Sequence, residues 1–217
     1  TEAMGLIITD PQNRRIGSIG QPAGEVEVKI GGNDELLIKA AGCTPGYYNR
    51  PDKTAELWQD GWLHTGDKVR IDDDGFIFIT GRVKDYFKTI QGKFVAPPPI
   101  EGRFADNPHS EQQCLLGRGY SKTVMITVLN EPSRLLPREE VEAAALATVE
   151  SINADIEKHA RIGAIIFSQT PWTIENEILT PTMKIRREQI ENTFGEDAER
   201  LARDGAERGS IQLHWFD

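Results

Sequence analysis

Val26, Val28 and Ile30 alternate with polar residues, the period of a strand with one buried face. Leu36-Leu37-Ile38 is a short apolar run between Gly31-Gly32 and Gly42, and Phe76-Ile77-Phe78-Ile79 follows the tight-turn signal Asp72-Asp73-Asp74-Gly75. Short extended segments separated by glycine predict a small barrel or meander for the first third of the chain.

Beyond Gly81 the period lengthens. Pro97-Pro98-Pro99 precedes Ile100-Glu101, and proline suits a first helical turn, so a short helix over about 99–106 should bury Ile100 and Phe104. Strands are expected near 112–117, 123–129 and 164–168. Between the last two, Val141, Ala145, Val149, Ile152 and Ile156 fall on one face of a helix over about 137–159. Each large aliphatic buried on that face contributes roughly 1.5–3 kcal/mol, enough to fix it against a sheet. A last helix should carry Ile190 and Phe194. The pattern predicts an α+β chain, a β-barrel or meander over 1–81 and a small α+β unit over 82–217. The charged stretch 195–217, ending in Trp215-Phe216, reads as a tail with no assigned element.

Composition narrows the function classes. A charged fraction of 27%, a hydrophobic fraction of 38% and a net charge of −9 describe an ordinary soluble domain and argue against a nucleic-acid-binding surface spanning the chain. Cys43 and Cys114 form no disulfide framework and fit a reduced, cytoplasmic setting. No apolar run has membrane-span length, so membrane association is expected to be peripheral at most. His64, His109, His159 and His214 show no metal spacing. The opening Thr1-Glu2, without an initiator methionine, points to a partial chain.

Three segments stand apart from the helices and strands. Gly61-Trp62-Leu63-His64-Thr65-Gly66-Asp67 reads alone as a capped turn. Gly81-Arg82-Val83-Lys84-Asp85-Tyr86-Phe87-Lys88, with Gln91-Gly92-Lys93, reads as a basic hairpin. Leu179-Thr180-Pro181-Thr182-Met183-Lys184-Ile185-Arg186-Arg187 reads as a loop entering a helix.

Taken in order, with Thr1-Glu2, Glu35 to Gly42 and Gly46 to Ala55, the set resembles the C-terminal motifs of the adenylate-forming superfamily. The Leu-Thr-Pro-Thr-x-Lys sequence and Thr173-Ile174-Glu175-Asn176-Glu177-Ile178 look most like long-chain fatty acyl-CoA synthetases. The resemblance implies the C-terminal part of a large adenylation domain over 1–81 and a mobile lid over 82–217. It also implies two-step chemistry, in which a carboxylate attacks the α-phosphate of ATP and a thiol, usually of coenzyme A, then displaces AMP.

By the same resemblance Asp67 accepts the two ribose hydroxyls, at about 1.5–3 kcal/mol for each charge-assisted bond. Arg82 is the ribose- and phosphate-side cation. Thr1 bonds the α-phosphate, and Glu2 helps hold Mg2+. Lys184 bridges the carboxylate and α-phosphate during adenylation, a charge that supplies on the order of 100- to 1000-fold in rate. Lys84 falls at the hinge between half-reactions. Gly92 and Lys93 lie where backbone approaches the pantetheine, and Lys88, Lys93 and Arg103 face the CoA phosphates or form only a solvated surface. The family's Gly- and Ser/Thr-rich phosphate loop and its fatty-acid pocket are not in the sequence, so the chain alone is expected to be inactive and to need a missing N-terminal domain. Two alternatives stand beside the fatty acid–CoA ligase: the adenylation part of a carboxylic acid reductase or carrier-loading enzyme, and a non-catalytic docking module. The retained Asp67, Arg82 and Lys184 weigh against the last.

Overall fold

A computed structural model describes residues 2–3, 5–83 and 85–216, and its packing divides the chain into Thr1–Asp85 and Tyr86–Asp217. In the first unit β1 (Ile7–Ile8) pairs antiparallel with β2 (Gln21–Pro22). A five-stranded sheet is built from β3 (Glu27–Ile30), β4 (Glu35–Lys39), β5 (Trp58–Gln59), β6 (Trp62–Ile71) and β7 (Ile77–Arg82). β6 is its spine. β4 runs along one edge of β6, while β5 pairs with its start and β7 with its end. Leu36 and Ile38 meet Val69 and Ile77 in the core, as the alternation requires, with Val26 and Val28 packed against them.

The pattern did not reveal α1 (Pro51–Leu57) within this β-rich region. Pro51 occupies its first turn, where the missing N–H loses nothing. Thr54 Oγ1 accepts from Tyr47 N–H at 2.9 Å and donates to the Arg50 carbonyl at 3.0 Å, tying the preceding loop to the helix. Gly46 makes that tie possible: with φ at 151°, a Cβ there would lie 2.5 Å from Thr54 Cγ2.

The second unit opens with the pair β8 (Phe87–Lys88) and β9 (Phe94–Val95), followed by α2 (Pro97–Phe104). Its four-stranded sheet has the order β10 (Ser110–Leu116), β11 (Thr123–Leu129), β12 (Ile162–Ser168) and β13 (Gln212–Phe216). The first pair is antiparallel and the other two are parallel. Helices α3 (Arg138–Asp155) and α4 (Arg187–Arg208) supply the two crossovers that parallel pairing demands. Met125, Leu129, Ile165 and Phe167 join α2 and α3 in one core cluster, whereas Val124, Ile126, Val128, Ala164 and Ile166 join α4 in the other. Every residue of β11 and β12 is buried, which is why these strands read as unbroken apolar runs. Helix α3 buries Val141, Ala145, Val149 and Ile152, but stops before the predicted end because Ile156 turns extended.

The stretch 195–217 is not a separate tail. Helix α4 continues through it to Arg208, its charges outward and Ile190, Phe194, Ala198, Leu201, Ala202 and Gly205 inward. Gly209 ends the helix in the left-handed region at φ 66°, and β13 then enters the sheet. Trp215 stacks on Phe167 with ring centres 4.8 Å apart, and its indole donates to Glu142. The small residues along α4 let it press close to β12. A Cβ on Gly205 would stand 2.5 Å from the Gly163 carbonyl oxygen. Gly205→Ala should therefore lower unfolding stability by about 1–3 kcal/mol through overpacking, despite alanine's better helix propensity. Denaturant titration measures this, and an unchanged or higher midpoint would refute the contact.

Candidate functional site

β6 carries one side of the site because its ladder is interrupted there. The pairing with β4 steps from Leu37 to Glu35, two residues, while β6 steps from His64 to Lys68, four. Thr65, Gly66 and Asp67 therefore bulge, and Gly66 takes φ 72°. On the other edge Asp67 lies directly opposite Arg82 of β7. Arg82 Nη1 donates to Asp67 Oδ1 at 2.8 Å. With the Arg82 side chain 56% exposed and that of Asp67 27%, this pair contributes only about 0–1 kcal/mol to stability.

Side chains meet the polar groups that the bulge releases. Glu35 Oε1 accepts Gly66 N–H at 2.8 Å, and Glu35 Oε2 lies 2.8 Å from His64 Nδ1. Thr65 Oγ1 donates to the Leu36 carbonyl at 2.8 Å and accepts Asp67 N–H at 3.1 Å. Val83 N–H donates to the Gly66 carbonyl at 2.7 Å, tying the end of β7 to the same turn.

The Tyr47 hydroxyl donates to Glu2 Oε1 at 2.9 Å, and the Glu2 carbonyl accepts Thr44 N–H. The hydroxyl holds the Glu2 carboxyl below the ordinary carboxylate range. The same bond raises the Tyr47 phenol, against the opposing charge of Arg82 nearby. Glu2, Tyr47, Arg82 and Asp67 thus form one polar neighbourhood. Glu2 offers a single carboxylate, which suits Mg2+, an ion that takes most of its shell from water and phosphate oxygens. Among the described residues no group of three or more His, Cys, Asp or Glu side chains is placed to hold a metal.

Lys184 belongs to the second unit, at the tip of a loop between β12 and α4. Thr180 holds its backbone twice, donating N–H to the Lys184 carbonyl at 2.8 Å and accepting Lys184 N–H on Oγ1 at 3.0 Å, while Met183 N–H donates to the Thr180 carbonyl. Leu179 bridges Ile185, and buried Trp172, Ile178 and Leu179 root the loop in the α4-side core. The Lys184 side chain is exposed, with no ion pair among the described residues.

Arg187 anchors the end of this loop. Its Nη2 donates to Glu101 Oε1 at 2.9 Å and its Nη1 to the Leu115 carbonyl at 2.7 Å, while Leu115 N–H donates to Glu101 Oε1 at 2.7 Å. Both charged side chains are more than four-fifths buried. Gly92, at φ 73°, and Lys93 lie in the turn between β8 and β9, closed by Gly92 N–H on the Thr89 carbonyl and Thr89 N–H on the Lys93 carbonyl. Lys88 sits over the Phe94 ring, and Arg103 is engaged with Asp155 and the Ser151 carbonyl. Thr1 and Lys84, expected at the α-phosphate and the hinge, lie outside the described residues. Sequence reasoning assigned no role to Glu35, Tyr47, Glu101 or Arg187, although Glu35, Tyr47 and Arg187 fall inside quoted motifs and Glu101 inside the expected short helix. Their partners are distant in sequence and only the fold brings them together.

The first unit thus presents an acid beside a guanidinium, and the second a lysine on a braced loop. The family model described as the AMP-binding enzyme C-terminal domain matches residues 84–204, and the chain belongs to that family. The chain is 27% identical over 214 residues to the long-chain-fatty-acid–CoA ligase FadD15 of Mycobacterium tuberculosis, covering 91% of this chain and 36% of the ligase. It is 31% identical over 227 residues to a carboxylic acid reductase of the same organism, covering 98% of this chain and 19% of the reductase. It thus spans about a third or less of the length of these relatives. Among solved structures, the adenylation domain of a carboxylate reductase from Mycobacterium chelonae superposes with a TM-score of 0.73 at 24% identity, over 87% of this chain and 32% of that one. The didomain of a carboxylic acid reductase from Segniliparus rugosus, in complex with AMP, gives 0.71 at 26%, over 88% and 29%.

The Glu2 contact has a definite pH sign. A carboxyl held low contributes stability above its unfolded value and loses it as the pH falls through the lower folded value. Tyr47→Phe removes the donor, so the Glu2 carboxyl should titrate closer to an ordinary glutamate in an NMR pH series. An unshifted Glu2 would mean that the hydroxyl does not hold it.

Proposed function

We propose that this chain serves an ATP-dependent acid–thiol ligase that activates a carboxylate, a fatty acid, as an acyl-adenylate and then transfers it to coenzyme A. The observation that carries this reading is the exposed Asp67–Arg82 pair at the β6 bulge. The pair adds little to stability, yet a deep set of backbone bonds maintains it. A carboxylate with two oxygens suits a cis-diol, and a planar guanidinium suits ribose and phosphate oxygens. In this reading Asp67 takes the ribose hydroxyls and Arg82 the ribose and phosphate side. Thr1 meets the α-phosphate and Glu2 assists Mg2+, which when bound neutralises phosphate charge. Lys184 bridges the carboxylate and α-phosphate in adenylation, Lys84 is the hinge, and Gly92 and Lys93 lie along the thiol's approach. The unit over 82–217 then acts as a mobile lid.

The family's phosphate loop and acyl pocket are not among the motifs of this sequence, so the isolated chain should release pyrophosphate no faster than background and bind ATP weakly. Pyrophosphate release and calorimetry measure both, and release above background from the isolated chain overturns the expectation. The site belongs in the cytoplasm, where ATP and CoA are available; among the described residues no helix is long and apolar enough to cross a membrane.

A second reading has its own support. The match to a carboxylic acid reductase over nearly the whole chain favours an adenylation unit that passes its acyl group to a tethered carrier. A carboxylate panel assayed on the natural protein containing this chain, with and without CoA, separates the two: CoA-dependent thioester formation supports the ligase, and adenylation without CoA turnover supports the carrier route. In the same protein Lys184→Ala should slow adenylation by about 100- to 1000-fold while leaving thioester formation from supplied acyl-adenylate within a few-fold. Equal loss of both half-reactions removes the role given to Lys184.

A further inference from the structure

On the nucleotide role proposed for Asp67, we propose further that Glu35 is the positioning residue that sets Asp67 against Arg82. A bulge frees backbone groups from the ladder, and half-buried ones need new partners. Glu35 supplies the acceptor for Gly66 N–H, and its second oxygen is held at His64 Nδ1. The tautomer of His64 with its proton on Nδ1 donates to that oxygen. The Glu35 side chain thus brackets the turn, gripping the residue before Thr65 and the residue after it. Its side chain is 14% exposed, so water is a poor substitute for those bonds.

Glu35 makes no hydrogen bond to the Asp67 carboxylate or the Arg82 guanidinium, so its influence runs through the backbone. Gly66 N–H is gripped by Glu35 while Gly66 C=O receives Val83 N–H, one residue past Arg82. A single peptide neighbour of Asp67 therefore fixes both halves of the pair. Gly66 also lies close under Arg82: a Cβ there would sit 3.6 Å from Arg82 Nη2. Without the Glu35 acceptor the bulge loses its reason to form at Gly66. A slip of one residue in β6 would turn the Asp67 side chain to the opposite face of the sheet.

The test uses the natural protein containing this chain, with KM for ATP and for the carboxylate read from pyrophosphate release in Asp67→Ala, Glu35→Ala and Glu35→Gln. Loss of a charge-assisted contact at the ribose should raise KM for ATP by about tenfold or more in Asp67→Ala and in Glu35→Ala. KM for the carboxylate should stay within about twofold in both if the damage is confined to the nucleotide grip. Glu35→Gln keeps an acceptor oxygen for Gly66 N–H and should restore most of the ATP affinity. An Asp67→Ala effect without a Glu35→Ala effect overturns the positioning role alone. Equal loss for both substrates in Glu35→Ala, with no rescue by glutamine, also overturns it and makes Glu35 a general scaffold residue. An Asp67→Ala protein with unchanged KM for ATP instead overturns the nucleotide reading. If Glu35→Ala does not fold, Glu35→Asp, one methylene too short to span Gly66 and His64 together, is judged by the same ATP-to-carboxylate contrast.

Discussion

A largely buried ion pair anchors the end of the Lys184 loop in the second unit. Glu101 on α2 and Arg187 at the start of α4 close a ring about the outward backbone groups of Leu115, one taking its N–H and the other its carbonyl. Among the described strands β10 pairs only with β11, so Leu115 would otherwise present an open sheet edge. The two side chains stand in for a missing neighbouring strand. Such a pair is a weak source of net stability, because desolvation offsets much of the attraction, but stranding either charge costs about 3–5 kcal/mol. What the pair determines is geometry: it fixes where α4 begins, and Lys184 lies three residues before that point.

The first unit solves a comparable problem with the fault in the β6 ladder, whose freed backbone groups Glu35 and Thr65 satisfy. Its strong contacts are the half-buried ones that satisfy the bulge, and its weak contact is the exposed Asp67–Arg82 pair. The same division holds at the Lys184 loop, whose backbone is triply bonded to Thr180 while the ammonium group is left in solvent. In both units the energy is invested in backbone that carries a loosely held polar tip.

Much of this architecture was legible in the residues. Thr123 to Leu129 reads as a strand because it is apolar throughout, and the face of α3 reads as a helix because its spacing repeats at 3.6. The order of the motifs identified the superfamily, to which the comparison with known families agrees. Other features depend on relations that no local window contains. Helix α1 has only seven residues, within a region dominated by strands, and β13 lies hidden in a run whose charges belong to the preceding helix. Thr65-Gly66-Asp67 reads as a turn, but a bulge is a property of two strands compared, so the role of Glu35 stays invisible until β4 is laid beside β6. Arg187 and Glu101 are 86 residues apart, and nothing in either neighbourhood announces the other.

The position of β13 bears on how the chain is made. β12 is sandwiched between two parallel partners, and the outer one arrives only after the whole of α4 has been synthesised. During translation its outer edge of backbone N–H and C=O groups therefore stays unpaired while a long helix emerges, and parallel pairing across so long a connection is slow to close. A nascent chain paused in that interval shows the ribosome exit a sticky, half-finished sheet, which makes the span from β12 to β13 the natural place for a chaperone to intervene.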